Sequence, residues 1–430
     1  MKDSGNKSAP KNKFLGEKNC EWIGLIPEDW NVNKIDSLYS LRSTKVNDVD
    51  YPPLSVTMKG IVPQLATAAK TDDHDNRKLV KKGDFAINSR SDRRGSCGIS
   101  DYDGSVSLIN IVLTPRGQMN PRYYNWLFHT EQFADEFYKW GHGIVNDLWT
   151  TRWQDMKHIF IVSPPLDEQK KIADYLDDRC SKIDEIITGT TASIEDYKKL
   201  KQAIITEAVT KGLNKDIPSN NLVLDWCNTG IRDDWQISQI RYLFKLRSEK
   251  NYKPLKEVNL ISLYTDKGVI QNSDLEQTTG NRAVTADGYK LVYPDDIVVN
   301  IILCWMGAIG RSEYQGVTSP AYDVYEPIDK NNVCSRYYHY LFRTNNFAGK
   351  CYTLGRGIMM MRWRTYSSEF RSIKVPVPPL SEQKEIANYL DKKIGNIDDI
   401  ITEKTGLIED LKAYKKSLIY EVVTGKKRIK

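Results

Sequence analysis

Pro164-Pro165-Leu166-Asp167-Glu168-Gln169-Lys170-Lys171-Ile172-Ala173-Asp174-Tyr175-Leu176-Asp177 recurs 214 residues later as Pro378-Pro379-Leu380-Ser381-Glu382-Gln383-Lys384-Glu385-Ile386-Ala387-Asn388-Tyr389-Leu390-Asp391. The correspondence runs without a gap from Pro164–Thr210 to Pro378–Thr424, with 26 of the 47 positions identical. A match of that length is a duplication, and a duplication constrains architecture before any single motif does.

Asp167 and Ser381, which follow Pro-Pro-Leu, are good N-cap residues, so a helix is predicted to start at each. A second helical pattern runs over Ser181–Lys211, with Ile186, Tyr197, Leu200, Ile204 and Ala208 on one stripe and Ile183, Ile187, Ile194 and Ile205 beside it. The other copy carries Ile400, Leu407, Leu411, Tyr414, Leu418 and Val422, flanked by Ile397, Ile401, Ile408 and Ile419. Spacings of three and four, with Lys and Glu on the other faces, are the pattern of helix-on-helix packing. A helix that merely covers its own domain would show the same stripe. Two near-identical copies, each about 45 Å long at 1.5 Å per residue, instead favour each other as an antiparallel, pseudo-twofold coiled coil. The predicted seam of that rigid spacer is Ile186, Tyr197, Leu200, Ile204, Ile400, Leu407, Leu411, Tyr414 and Leu418.

The segments before each copy are related more faintly. Ile26-Pro27-Glu28-Asp29-Trp30 answers Ile231-Arg232-Asp233-Asp234-Trp235, Lys78-Leu79-Val80 answers Lys290-Leu291-Val292, and Arg122-Tyr123-Tyr124 answers Arg336-Tyr337-Tyr338. The chain therefore reads as module, helix, module, helix. A shared frame with different loops predicts two modules performing one job on different targets.

Composition narrows what that job is. The 430 residues carry 62 Lys and Arg against 56 Asp and Glu, a net charge of +6 that permits nucleic acid as a partner without requiring it. The 24 Tyr and 10 Trp against 10 Phe favour amphipathic surfaces. Seven cysteines without a CxxC pair and five scattered histidines argue against zinc or a disulfide framework, so no metal site and a reducing cytoplasmic location are expected. No apolar run has the length of a membrane span, and the first residues lack the apolar core of a signal peptide.

Enzymatic signatures are missing. There is no GxxxxGK[ST], HExxH or GxSxG, and no Asn-Pro-Pro-aromatic tetrapeptide. Glu168-Gln169-Lys170 and Glu382-Gln383-Lys384 match half of a magnesium nuclease motif, but they fall on a first helical turn, where a charged face is ordinary. They are read as non-catalytic.

Basic and aromatic loops remain. Ser89-Arg90-Ser91-Asp92-Arg93-Arg94-Gly95 follows the strand-like Phe85-Ala86-Ile87; its counterpart after Ile297–Asn300 is Ile301–Gly307, with Cys304, Trp305 and Met306, and Arg311 just beyond. A second pair sets Gly141–Trp153 against Gly355–Arg364. Arginine can contact guanine bidentately, and glycine permits close backbone approach. The candidate DNA-facing residues are Arg90, Arg93, Arg94, His142, Arg152, Trp305, Arg311, Arg356, Arg362 and Arg364. Trp153 and Trp363, read as equivalent, are assigned to the module cores. A scaffold with no nucleic-acid role would explain the helices but not two divergent loop pairs at matching places.

The doubled Pro-Pro-Leu-x-Glu-Gln-Lys-x-Ile-Ala-x-Tyr-Leu-Asp with its following Ile-Asp-x-Ile-Ile, together with Trp22–Trp30, resembles the specificity subunit of type I restriction-modification systems over Glu21–Thr424. The lead-in Asp225–Trp235 departs from that pattern by lacking the proline of the first. The resemblance implies an α+β fold in which two duplicated target-recognition domains are separated by two long conserved helical regions. The expected boundaries are a flexible basic tail 1–20, recognition domains 21–162 and 214–375, and helical regions 163–213 and 376–430. It further implies a non-catalytic subunit whose domains each read half of an asymmetric bipartite site in double-stranded DNA, with half-site centres about 35 Å apart, one duplex turn. Two methylase subunits and, in the full complex, two restriction subunits are its expected partners, and they would hold S-adenosylmethionine, ATP and Mg2+.

Overall fold

The computed structural model describes residues 22–64, 74–143, 149–219, 222–265, 267–271, 285–357 and 363–429. They form two compact units, Met1–Thr190 with Gly406–Lys430, and Thr191–Thr405. Helices α1 (Pro121–Phe128), α2 (Glu131–Lys139) and α3 (Leu166–Lys211) are answered by α4 (Ser335–Phe342), α5 (Asn345–Leu354) and α6 (Leu380–Val423). No described helix is long and apolar enough to cross a membrane.

In the first unit an antiparallel sheet runs Tyr39–Leu41, Asn110–Pro115, Phe85–Asn88, Cys97–Ile99 in spatial order. The central segment Phe85-Ala86-Ile87-Asn88 is buried on both faces. Phe85 and Ile87 join Tyr39, Ile111, Leu113 and Phe128 in the main core, while Ala86 and Val112 join Leu54, Ile61, Val80 and Val106 in a smaller one. Alternation with period two thus sends successive residues into different cores. The second unit repeats the order with Phe244–Leu246, Tyr322–Pro327, Ile297–Asn300 and Ile309–Arg311, placing Ile297 and Val299 in one core and Val298 and Val324 in the other. A buried ion pair ties the edge strand to the turn in each: Arg42 to Asp84 (2.5 Å), and Arg247 to Asp296 (2.9 Å).

The duplicated motif fastens helix to module. Gln169, nearly fully buried, accepts the Asn120 backbone N–H (2.8 Å) and donates to the Pro164 carbonyl (2.8 Å); Gln383 does the same with Cys334 and Pro378. Glu168 accepts the Trp30 indole N–H and Glu382 that of Trp235, each at 3.0 Å. At the other helix ends the Tyr337 hydroxyl donates to the Val209 carbonyl and Tyr123 to that of Val423, both at 2.8 Å. These are among the last four carbonyls of α3 and α6, which no helical N–H can reach.

Each unit packs the two long helices antiparallel. In the first, Ile172, Leu176 and Ile183 of α3 share a core with Leu418, Val422 and Val423 of α6; in the second, Ile205 and Val209 share one with Ile386, Leu390 and Ile397. Asp184–Lys415 and Lys201–Asp398 pair at 2.6 Å each. The two pairs are one contact made twice, since 398 − 184 and 415 − 201 both equal the repeat offset of 214.

Three expectations are corrected. The helix begins at Leu166 and Leu380, one residue before the predicted caps, and runs unbroken, because nothing in Asp177-Asp178-Arg179-Cys180-Ser181 interrupts it. Compactness divides the chain within the helices, at Thr190/Thr191 and Thr405/Gly406. Finally, Ile186, Leu200, Leu407 and Tyr414 lie outside the seam, each 46% to 52% exposed. Adjacent helical residues point about 100° apart, so a stripe drawn one residue off places Ile186 in solvent while Ile187 packs inward. Of the remaining named positions, Tyr197 and Ile204 pack on the second unit's core, Leu411 and Leu418 on the first's, and Ile400 is half-buried.

The carboxylates of the repeat are not equally protected. Arg232, almost buried, is shared by Glu382 and Asp234, whereas Arg428, which meets Glu168 and Asp29, is 46% exposed. Breaking a buried pair strands a charge, while an exposed pair contributes little. Glu382→Gln is expected to lower stability by about 3 kcal/mol and Glu168→Gln by about 1 kcal/mol or less, read from the midpoints of urea unfolding.

Candidate nucleic-acid interface

In the first unit the chain leaves the strand Phe85–Asn88 through a short 3-10 turn, Ser91–Arg93, and is stitched to a second loop. The Ser91 N–H donates to the Trp149 carbonyl and the Thr151 N–H to that of Ser89, both at 2.9 Å. Thr150 exchanges backbone bonds with His142 at 3.1 Å in each direction. Arg90, His142 and Arg152 thereby come to one edge of the module, with the exposed Arg93 beside them. The His142 ring lies 3.4 Å from Asp155.

The second unit uses the same frame. The Thr365 N–H donates to the Ile301 carbonyl, and Arg356 and Arg364 exchange backbone bonds at 2.9 and 3.0 Å. Arg356 pairs with Glu369 (3.2 Å), the counterpart of His142 with Asp155. The surface differs in content: Trp305, Tyr352 and Trp363 form a ring series, with centroids 5.7 Å and 5.5 Å apart. Exposed cations and rings on a rigid edge can meet phosphates, base edges and base faces.

The sequence model of the type I restriction modification DNA specificity domain matches this chain twice, over residues 27–196 and 232–410. The chain belongs to that family. Each match spans one module and the start of the helix that follows. Two proteins of Methanocaldococcus jannaschii are similar over nearly their whole length. They are the type I restriction enzyme MjaVIII specificity subunit, 24% identical with 97% of this chain and 98% of that one covered, and its MjaX counterpart, 25% identical with 97% and 99% covered. A solved chain from work on complex assembly and conformational transition of the type I R-M system superimposes with a TM-score of 0.68 at 14% identity, covering 93% of this chain and 99% of that one. At that identity the likeness is one of fold.

Against this DNA specificity frame the candidate residues fall into groups. Arg90, His142 and Arg152 converge in the first module, and Trp305, Arg356 and Arg364 in the second. Arg94 is turned onto α2, where it pairs with Asp135 and donates to the Glu131 carbonyl (3.4 Å). Arg311 lies opposite Ile297, at the far end of the strand from the 301–307 loop, and is held by Asp295 (2.9 Å) and Glu313 (2.6 Å). Three residues of strand, at 3.3 Å each, keep it roughly 10 Å from that loop. Arg362 lies outside the described residues.

The equivalence of Trp153 with Trp363 is also corrected. The paired bridges 142–150 and 356–364 keep the offset of 214, so Trp363 answers Trp149, and Trp153 packs partly against the first core. The glycine of each loop serves this tryptophan: a Cβ on Gly355 would come 2.1 Å from Trp363 Nε1. Tyr352 and Lys78, the latter lining a cleft with Arg90 and Arg152, were not among the candidates. Tyr352 was hidden because only the fold brings it between two loop tryptophans.

Behind Arg311, the His339 ring accepts the Arg311 backbone N–H at Nδ1 (3.1 Å). Burial, with the Arg343, Arg311 and Lys201 cations nearby, pushes its pKa down to about 3. The folded state therefore holds fewer protons than the unfolded one, and this contribution to stability is lost as pH falls from about 6.5 toward 3. The wild type is expected to lose more stability between pH 7 and pH 5 than His339→Gln, measured by urea unfolding at the two pH values.

Proposed function

We propose that this chain is the non-catalytic DNA-recognition subunit of a type I restriction-modification complex, each module reading one half of an asymmetric, interrupted site. The observation that supports this best is the pairing of one scaffold with two unlike surfaces. Sheet order, loop stitching and the Asp155/Glu369 partner recur, yet one edge carries Arg90 and Arg152 where the other carries Trp305, Tyr352 and Trp363. Different surfaces on equal frames read different half-sites.

In this reading Arg90, Arg93, His142, Arg152, Trp305, Arg356 and Arg364 face DNA, with Arg94, Arg311 and Arg362 as further candidates. The long helices set the spacer and present their outer faces to two methylase subunits, joined by two restriction subunits in the full complex. Leu200 and Tyr414, at equivalent repeat positions and both exposed, suit such docking. S-adenosylmethionine, ATP and Mg2+ belong to those partners, and transfer of a labelled methyl group by the purified chain alone would overturn the assignment.

Exchanging residues 26–160 for the equivalent module of a relative is expected to change one half of the methylation motif, read by methylome sequencing of a strain carrying the hybrid. A change in both halves would show that the modules do not act independently. Inserting four residues, about one helical turn, after Gly189 of α3 is expected to lengthen the tolerated gap by roughly one to two base pairs. An unchanged gap in the methylome would remove the helices as the ruler.

A further inference from the structure

The three-stranded sheet of the first module sets Lys78 opposite Lys45, and the second module sets Lys290 opposite Lys250. Like charges facing each other across an antiparallel pair repel, so an anion near either pair relieves a cost. In the second module the chain supplies that anion: Lys290 Nζ lies 2.9 Å from Asp323 Oδ1. The first module does not. Asn110 pairs with Asn88 as Tyr322 pairs with Asn300, so the residue answering Asp323 is Ile111.

Lys78 Nζ donates to the Asn110 carbonyl (2.6 Å), and no carboxylate pairs with it among the described residues. Its burial lowers the ammonium pKa from the ordinary value with no charge partner to offset the loss of water. The side chain lines a cleft of about 460 Å³ whose other cations are Arg90 and Arg152, whose walls include Ile109, Ile111 and Trp153, and which no described carboxylate lines. One exposed carboxylate, Asp92, stands 3.5 Å from Arg90 Nε.

We propose that this cleft is a phosphate clamp, with Lys78 as its floor and Arg90 and Arg152 as its rim, and that the second module has no counterpart because Asp323 fills the anion's place. The proposal rests on the DNA-recognition reading above and adds to it a difference in grip. The first half-site is held by a recessed cation that takes a backbone phosphate oxygen, and the second half-site is not. A contact of this kind sets register on the duplex and carries no sequence information itself.

The test is a salt titration of the full chain, assembled with its methylase partners, on a fluorescent random-sequence duplex between about 50 and 200 mM chloride. Each phosphate released lowers the slope of log affinity against log salt by about 0.9. Lys78→Met should lower the slope by that amount, and Arg152→Gln, a surface change that leaves the fold intact, should lower it too. Lys290→Met should leave it unchanged, and the methylation motif should be the same in all. An unaltered slope in Lys78→Met, or an equal loss in Lys290→Met, would overturn the clamp; so would a motif changed at one base by Lys78→Met, which would make Lys78 a base reader. Inorganic phosphate at matched ionic strength should displace wild type and Lys78→Met alike, since stronger displacement of wild type would mean a free-anion site. If the wild-type complex itself binds duplex without salt dependence, the broader DNA reading fails instead.

Discussion

The buried Glu-Gln pair at the start of each long helix is the constraint on which the rest of the structure depends. Gln169 and Gln383 can satisfy their amides only by bonding the loop before α1 or α4 and the carbonyl of their own Pro-Pro turn. Unmade, those bonds would leave buried polar groups, at about 1–3 kcal/mol each. Glu168 and Glu382 add the indole of the module's first tryptophan and an arginine. Helix direction is thereby set by the module, and with it the residues that α3 and α6 turn toward each other. The Asp184–Lys415 and Lys201–Asp398 contacts follow from that orientation and are too exposed to dictate it.

A second consequence concerns the loops. Because the central sheet of each module is buried on both faces, its strands tolerate little change, while the segments leaving its ends have no core to fill. Backbone bonds such as Thr151 to Ser89 and Thr365 to Ile301 hold those segments in the same place whatever side chains they bear. An arginine edge and a tryptophan edge can therefore stand on one frame. This also accounts for the modest net charge. Many cations, including Arg42, Arg232 and Arg247, are spent on internal carboxylates, and the exposed ones are concentrated at two loop edges.

Much of the architecture was legible in the sequence, since two gapless copies of a helix-forming segment can hardly fold differently. The site was legible only in outline. Arg90 and Arg152 stood out as charge in a loop, but nothing in the sequence distinguished them from Arg94, which α2 captures through Asp135, or from Arg311, held by Asp295 and Glu313. Lys78 escaped notice because it sits in a strand, and its significance lies in an isoleucine standing where the other module has an aspartate.

The sequence by itself determined the duplication, the long helices and the positions at which the modules diverge, because these follow from identity at a fixed offset and from local periodicity. Tertiary structure alone decided which face of each helix is covered, which tryptophan answers which, and which cations remain available. The reason is geometric. A one-residue error is invisible in a stripe of isoleucines yet turns a helical side chain by about 100°, and an arginine's freedom depends on a carboxylate that can lie dozens of residues away.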